Sequence, residues 1–206
     1  MNSLILTLDA GAWCCLPIAY QQLTQGALYA AWRGSYPQLH DEGFAGDGQT
    51  FRLFTFGPLE GRYRVQSNEI TFTGLVQLEV RSPVEDLLYA LGKSLTGAGA
   101  LRLGRCVLPL RDLHSEDHYW FAAPLPVRMV SPLTLHKSLP GGKTLFLRPD
   151  DDAFAAQLIA NTAHKLAACR STADPSVTLC PMGTRLPRKR VTQFKGIYLT
   201  GWDGDF

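Results

Sequence analysis

The sequence predicts an α+β protein built from two consecutive units. The first half alternates strand-like and helix-like segments in the order β-α-β-β-α-β, and the second half gives β-α-β-β with an added hairpin. With 206 residues, 46% of them hydrophobic and 18% charged, the chain can bury a core in each half. We therefore expect a first domain at residues 1–118 with the ferredoxin-like order and a second domain at residues 119–206.

The first strand and helix are read from the N-terminal stretch. The apolar run LILTL at residues 4–8 predicts a strand inside a sheet. A helix is expected to begin at Pro17 and to end near Gly34, where glycine favours a left-handed cap. Its buried stripe is expected to contain Ala19, Leu23, Ala27 and Ala30. Helical geometry then places Tyr29 at the border of the core.

The middle of the first unit contains two β-rich runs, TFRLFTFG from Thr50 and EITFTGLVQLEV from Glu69. The connector between them, PLEGRYRVQSN, contains turn-forming residues at Gly61 and Ser67–Asn68. The two runs are therefore expected to pair as a hairpin across this connector.

A second helix and a closing strand complete the first unit. Ser82 is a preferred N-cap residue, with Pro83 at the first helical position and Glu85 three residues after the cap. The apolar face of this helix consists of Val84, Leu87, Leu88 and Leu91. The run ALRLGRCVLPL, residues 100–110, predicts the closing strand, and the charged segment from Arg111 is expected to link the two units.

The second unit is predicted from turn and helix signals. In order, we expect strand LPVRMVSPLTL, hairpin turn LPGGK, strand TLFL, helix DDDAFAAQLIANTAHKLAACR, strand SVTLCPM and strand KRVTQFKGIYLTGW. Acidic residues at the start of that helix favour its N-terminus. Because the chain reaches Phe206 before another helix and strand, we expect this domain to be incomplete at its C-terminal end.

Compartment and metal binding are constrained by cysteine, histidine and the N-terminus. The first apolar stretch is too short for a membrane span and no Lys or Arg precedes it, and the five cysteines include no C-x-x-C pair. We expect a cytoplasmic protein with reduced thiols. His114 and His118 have the spacing of a shared metal site on a helix, but two ligands make a weak match against a solvated linker. No metal site and no cofactor are predicted.

A basic cluster lies near the C-terminus. The segment RLPRKR, residues 185–190, is followed by Lys195 and lies among the aromatic residues Phe194, Tyr198 and Trp202. Such a cluster can neutralise phosphates and stack bases, or it can be a solvated face, and the pattern leaves both readings open. Because the formal net charge is only +2, a polyanion site must be a local patch.

Tyr29, His40 and Arg52 are candidates for chemistry on a phosphodiester. An imidazole exchanges a proton near neutral pH, a phenol can hydrogen-bond a reacting hydroxyl, and a guanidinium stabilises charge that develops on a phosphate. These groups suffice for metal-free attack by a ribose 2′-hydroxyl on the adjacent phosphate. Residue type alone does not single them out, because most chains contain a Tyr, a His and an Arg.

The chain resembles a known family along its length. The matching stretches, in the family's order, are LPIAYQQLTQGALYAAW, LHDEGF, FRLFTFGPLEGRYRV, LEVRSPVEDLLYALGKSL, LRLG, VRMVSPLTLHK, LRPDDDAFAAQLIANTAHKL and FKGIYLTGWDGDF. They are similar to the sixth Cas protein family, the CRISPR repeat-processing endoribonucleases of the RAMP superfamily.

The resemblance implies two tandem ferredoxin-like domains with a cleft between them. It implies metal-independent cleavage inside the repeats of precursor CRISPR RNA, leaving a 5′-hydroxyl and a cyclic phosphate. The family's helix tyrosine corresponds to Tyr29, its loop histidine to His40 and its strand cation to Arg52, which replaces the more usual Lys. Arg keeps the charge but hardly gives up a proton, so it is expected to act electrostatically. The family's C-terminal glycine-rich region has no counterpart here.

The expected partner is CRISPR repeat RNA, with other Cas proteins of an effector complex and a homodimer as further partners and no membrane. Cations expected to contact RNA are Arg128, Lys137, Arg185, Arg188, Lys189, Arg190 and Lys195. Two alternatives stay open at this point: a catalytically silent subunit that binds processed RNA, and a scaffold subunit that contacts only proteins.

Overall fold

The computed structural model describes residues 2–46, 48–117, 125–129, 131–182, 186–194 and 196–206. The chain divides into two compact units, one made of Met1–Ala45 with Thr50–Tyr119 and the other of Gly46–Gln49 with Trp120–Phe206. Both units combine α-helix with antiparallel sheet, so the predicted α+β class is confirmed. The roles predicted for the two domains are taken up below as proposals.

Unit 1 is a ferredoxin-like sheet with two helices. Its elements, in chain order, are β1 (Asn2–Asp9), β2 (Cys14–Pro17), α1 (Gln21–Trp32), β3 (Phe44–Gly46), β4 (Gln49–Phe51), β5 (Thr55–Phe56), β6 (Glu60–Gln66), β7 (Glu69–Ser82), α2 (Glu85–Ala98), β8 (Ala100–Leu103) and β9 (Cys106–Asp117). Strands β3 and β4 form a separate two-stranded sheet. Strand β7 pairs with β1 and β6, and β1 also pairs with β9, all antiparallel. The resulting order β6-β7-β1-β9 is the one that a β-α-β-β-α-β chain produces in this fold.

Helix α1 begins later than predicted. Pro17 ends β2, paired with Glu69, and a turn separates it from the helix that starts at Gln21. The predicted stripe is correct in part: Leu23 and Ala27 are half-buried against the core, whereas Ala19 and Ala30 are exposed. The fully buried residues of the helix are Thr24, Leu28 and Trp32. Leu28 and Trp32 bury more apolar area than alanines do, so the helix packs with these side chains toward the core. Gly34 does not have the predicted left-handed conformation, whereas Tyr29 packs at the core border as expected.

The hairpin of unit 1 forms inside the predicted connector. Strand β6 lies within PLEGRYRVQSN and turns into β7 at Ser67 and Asn68, whose φ values of 49° and 68° confirm the predicted turn. The run from Thr50 is not one strand, because residues 52–54 separate β4 from β5. Leu53 has a φ of 49°, a conformation that interrupts a strand.

The closing strand is longer than predicted. Residues 100–110 form the hairpin β8-β9, and β9 continues through the predicted linker to Asp117, which pairs with Asn2. The charged side chains of residues 111–117 obscured this strand in the sequence. Backbone hydrogen bonding to the edge of β1 tolerates them because most of these side chains are exposed.

Helix α2 buries the predicted leucines but starts at Glu85, not Pro83. Leu87, Leu88 and Leu91 are buried, and Gly99, with a φ of 68°, ends the helix in the left-handed conformation. The Ser82 hydroxyl accepts a hydrogen bond from the Val84 amide at 2.9 Å and donates one to the Leu53 carbonyl at 2.8 Å.

The described residues of unit 2 form two hairpins and one helix. Its elements are β10 (His136–Leu139), β11 (Lys143–Phe146), α3 (Asp152–Ala168), β12 (Arg188–Phe194) and β13 (Ile197–Asp203). The turn LPGGK and the helix are confirmed, and Leu135, Leu147 and Phe154 form the core. The last predicted strand is instead the hairpin β12-β13, which reverses next to Gly196.

Two other strands predicted for unit 2 are wrong. Residues 176–182 are irregular, and the described part of the segment before β10 forms isolated bridges, Arg128 with Asp205 and Leu133 with Trp202. Pro126 and Pro132 lack an amide donor and interrupt a regular ladder there.

All five cysteines are free thiols, as predicted. Burial, followed by the hydrogen bond with the Cys106 thiol, raises the pKa of Cys14 to about 12. Within the described ranges, no helix has the length and apolar character that a membrane crossing requires.

Candidate active site

Hydrogen bonds to one backbone carbonyl hold the loop that carries His40. A single turn of 3-10 helix, Pro37–Leu39, follows α1, and the buried Leu39 anchors it to the core. The carbonyl of Gln38 accepts hydrogen bonds from the amides of Asp41, Glu42 and Gly43 at 3.1, 2.8 and 3.2 Å. The main chain therefore fixes the loop, independently of the side chains of Asp41 and Glu42.

His40 is held by its neighbour Asp41. Nδ1 of His40 lies 2.6 Å from Oδ1 of Asp41, and the two side chains are 64% and 82% exposed. A carboxylate only accepts hydrogen bonds, so Nδ1 carries the proton and donates it. The other ring nitrogen, Nε2, is left as the atom that can exchange a proton with a ligand.

Tyr29 reaches the same place from α1. Its ring lies edge-on to the His40 imidazole, with centroids 4.9 Å apart and planes 79° apart. Phe54 holds the tyrosine ring from another side at 5.5 Å and itself packs on Trp32 at 4.6 Å. The indole of Trp32 donates a hydrogen bond to the Leu87 carbonyl, which joins this aromatic group to α2.

Arg52 is tied to the same loop. It follows β4 instead of lying within a strand as predicted, and its Nη2 donates to the Asp41 carbonyl at 3.3 Å. Gly43, with a φ of +62°, makes this approach possible, because a Cβ on Gly43 would lie 2.5 Å from both the Arg52 Nη1 and the Phe51 carbonyl oxygen.

The structure thus brings the three candidates from α1, the loop and the end of β4 to one exposed surface of unit 1. The group contains an imidazole with one nitrogen available, a phenol and a guanidinium, which are the parts of a metal-free phosphoryl-transfer site. Sequence reasoning missed Phe54 and Gly43. It also could not show which of the two neighbouring carboxylates, Asp41 or Glu42, contacts the His40 imidazole. In the structure it is Asp41.

Two of the predicted RNA-binding cations form ion pairs within unit 2. Nε and Nη2 of Arg128 donate to both carboxylate oxygens of Asp205, at 2.8 and 3.0 Å, and this hydrogen bonding raises the pKa of Arg128 above its usual value. Nε of Arg190 donates to Oδ2 of Asp203 at 2.7 Å. The two carboxylates are only 17% and 10% exposed, so the arginines compensate partly buried charges.

The other predicted cations differ in environment. Lys137 lies exposed on β10, and Arg188 and Lys189 lie exposed on β12. Within the part of the chain that the structure describes, these three have no carboxylate partner. Arg185 and Lys195 lie outside the described residues, so their predicted contacts with RNA stay predictions.

His114, one of the two histidines considered for a metal site, lies on a strand and not on a helix. His114 lies on β9 between Asp112, at 3.0 Å from Nδ1, and Glu116, at 3.8 Å from Nε2. His118 is outside the described residues. Among those described, no three His, Cys, Asp or Glu side chains are grouped closely enough to hold a metal ion.

Comparison with known proteins points to one family. Residues 120–206 match the family model of the CRISPR-associated protein Cas6, C-terminal domain. The predicted resemblance to the Cas6 family is confirmed for these residues. No curated protein matches the sequence.

Solved structures agree over the whole chain. The product of a Cas6-related gene from Pyrococcus furiosus has a TM-score of 0.78 at 13% identity, covering 100% of this chain and 85% of its own. A RAMP protein described as binding different RNA substrates has a TM-score of 0.77 at 14% identity, covering 100% and 87%. A Cas6 product complex has a TM-score of 0.66 at 18% identity, covering 99% and 83%. At these identities the structures establish the fold, with its tandem ferredoxin-like units.

Proposed function

We propose that this protein is an endoribonuclease that binds CRISPR repeat RNA and cleaves it without a metal ion. The ribose 2′-hydroxyl attacks the adjacent phosphate, the bond from phosphorus to the 5′-oxygen breaks, and a proton passes to that oxygen. The products are a 2′,3′-cyclic phosphate and a 5′-hydroxyl. The proton lost by the 2′-hydroxyl balances the one gained by the leaving group, so no co-reactant is needed.

One observation carries the proposal. Asp41 binds the His40 ring through its side chain, and this ring packs edge-on with the Tyr29 ring. The backbone carbonyl of Asp41 accepts a hydrogen bond from Arg52. His40 Nε2 is the atom proposed to transfer a proton. The Arg52 guanidinium stabilises charge on the phosphate, and the Tyr29 phenol hydrogen-bonds the reacting hydroxyl. The Cas6 match of residues 120–206 and the shared fold supply the substrate class.

Unit 2 is proposed as the RNA-binding part. Exposed cations on both hairpins, Lys137 on β10 and Arg188 and Lys189 on β12, are the residues proposed to contact phosphates. Tyr198 on β13 is 68% exposed and offers a ring on which a base can stack. Binding by other Cas proteins, self-association and cytoplasmic location stay predictions.

The test is cleavage of end-labelled repeat RNA by the whole protein in EDTA. We expect one major cut within the repeat, and fragment ends that give a 5′-hydroxyl and a cyclic phosphate by mass spectrometry. Binding without cleavage would replace the proposal by that of a silent RNA-binding subunit. Cleavage only after a divalent metal is added would refute the metal-free mechanism, and absence of both binding and cleavage would refute the RNA-processing function.

A further inference from the structure

We infer that Asp41 is a positioning residue for this reaction: its carboxylate fixes the His40 ring so that Nε2 is the nitrogen that exchanges a proton with RNA. The inference rests on the proposed function. It adds a residue to the three candidates and assigns the proton transfer to one ring atom.

The first support is the geometry of the side-chain contact. A separation of 2.6 Å between Nδ1 and Oδ1 is that of a charge-assisted hydrogen bond. An exposed imidazole otherwise rotates about its two side-chain bonds and exchanges its proton between both nitrogens. A carboxylate that binds Nδ1 selects one tautomer and limits that rotation, as the aspartate of a serine-protease triad does for its histidine.

The second support is that Asp41 also holds Arg52. Its carbonyl accepts from Nη2 of Arg52 at 3.3 Å, while its amide donates to the Gln38 carbonyl at 3.1 Å. The side chain and the main chain of one residue therefore set the distance between the imidazole and the guanidinium. Substitutions that change only the side chain leave the contact with Arg52 in place, so the two contributions can be separated.

Glu42 provides a matched control. It lies next to Asp41 in the same turn, carries the same charge, and its amide also donates to the Gln38 carbonyl. Within the described ranges its side chain makes no hydrogen bond or ion pair. Asp41→Ala and Glu42→Ala therefore remove the same charge from the RNA-facing loop, and only the first removes the contact with His40.

The experiment measures single-turnover cleavage in EDTA with saturating enzyme. We expect Asp41→Ala to lower the rate by about 3- to 10-fold, a modest loss because the contact is exposed, and Glu42→Ala to cleave at nearly the wild-type rate. Asp41→Asn should recover part of the loss, because its amide oxygen can still accept from Nδ1. Equal rates for the two alanine variants, or no recovery with asparagine, would overturn the positioning role.

A spectroscopic readout separates this inference from the proposed function. In protein labelled with ¹⁵N-histidine at mildly alkaline pH, we expect the His40 signal, identified by its loss in His40→Ala, to show the proton on Nδ1. In Asp41→Ala the proton should shift toward Nε2. This outcome does not depend on cleavage. If the wild type cleaves repeat RNA but carries the proton on Nε2, only the inference about Asp41 fails, and if it does not cleave, the proposed function fails.

Discussion

The two units hold their candidate functional residues in different ways. In unit 1, neighbours that orient the side chains contact each candidate: Asp41 for His40, the Asp41 carbonyl for Arg52, and Phe54 for Tyr29. In unit 2, two predicted cations are engaged by aspartates, and three others are exposed without a described partner. Orientation is what a chemical step needs, whereas available charge is what binding to a polyanion needs. The comparison predicts that rate and affinity can be changed separately.

His40→Ala should have the largest effect. Loss of a positioned general acid or base lowers rates by roughly 10²–10⁴-fold, and we expect this range for single-turnover cleavage. RNA affinity should stay nearly unchanged, because His40 lies in unit 1, outside the proposed RNA-binding hairpins. Cleavage in EDTA and a filter-binding titration check the two quantities. A wild-type rate for this variant would remove His40 from the mechanism.

Charge on β12 should affect affinity and leave the rate at saturation unchanged. Replacing Arg188 and Lys189 together by alanine should lower the slope of log K against log salt by about two if both contact phosphates. Arg190→Ala is the internal comparison, because its side chain pairs with the partly buried Asp203. It should lower the thermal stability of the protein with less change in slope. An unchanged slope for the double variant would mean that Arg188 and Lys189 do not contact RNA and that their side chains are only solvated.

Tyr29→Phe should have the smallest effect. The substitution removes one hydroxyl and leaves the ring contacts with His40 and Phe54 in place. Since a neutral hydrogen bond is worth about 0.5–1.5 kcal/mol, we expect the cleavage rate to fall by about 2- to 10-fold with unchanged affinity. The rate of Tyr29→Leu separates the ring from the hydroxyl, since it removes both. Equal rates for Tyr29→Phe and wild type would restrict Tyr29 to packing.

The sequence predicted most where local patterns and burial agree. Strand β1, the buried leucines of α2, the Ser67–Asn68 turn and the α+β class were correct because each depends on apolar spacing or on turn chemistry within a few residues. The start of α1 at Pro17 and the linker after Arg111 were wrong, because pairing with distant strands decided both. Such pairing leaves no short-range signal.

The candidate site shows the same division. Residue types and family resemblance indicated Tyr29, His40 and Arg52, and the structure places them near one loop. What the sequence could not supply is which neighbour orients each of them. In the sequence, Asp41 and Glu42 are both acidic residues beside His40, and Phe54 is typical of a strand. Only the fold distinguishes the carboxylate that reaches the imidazole and the ring that packs on Tyr29.

The Gln38 carbonyl also bears on how this loop can evolve. Three consecutive amides converge on it, so the path of the backbone from Asp41 to Gly43 is encoded by the main chain. Side chains at positions 40–42 can therefore be exchanged without remodelling the loop, and only Gly43 is constrained by its conformation. Single substitutions at these positions can therefore remove, restore or alter the chemical groups of the loop during evolution, while its backbone and the surrounding fold stay the same.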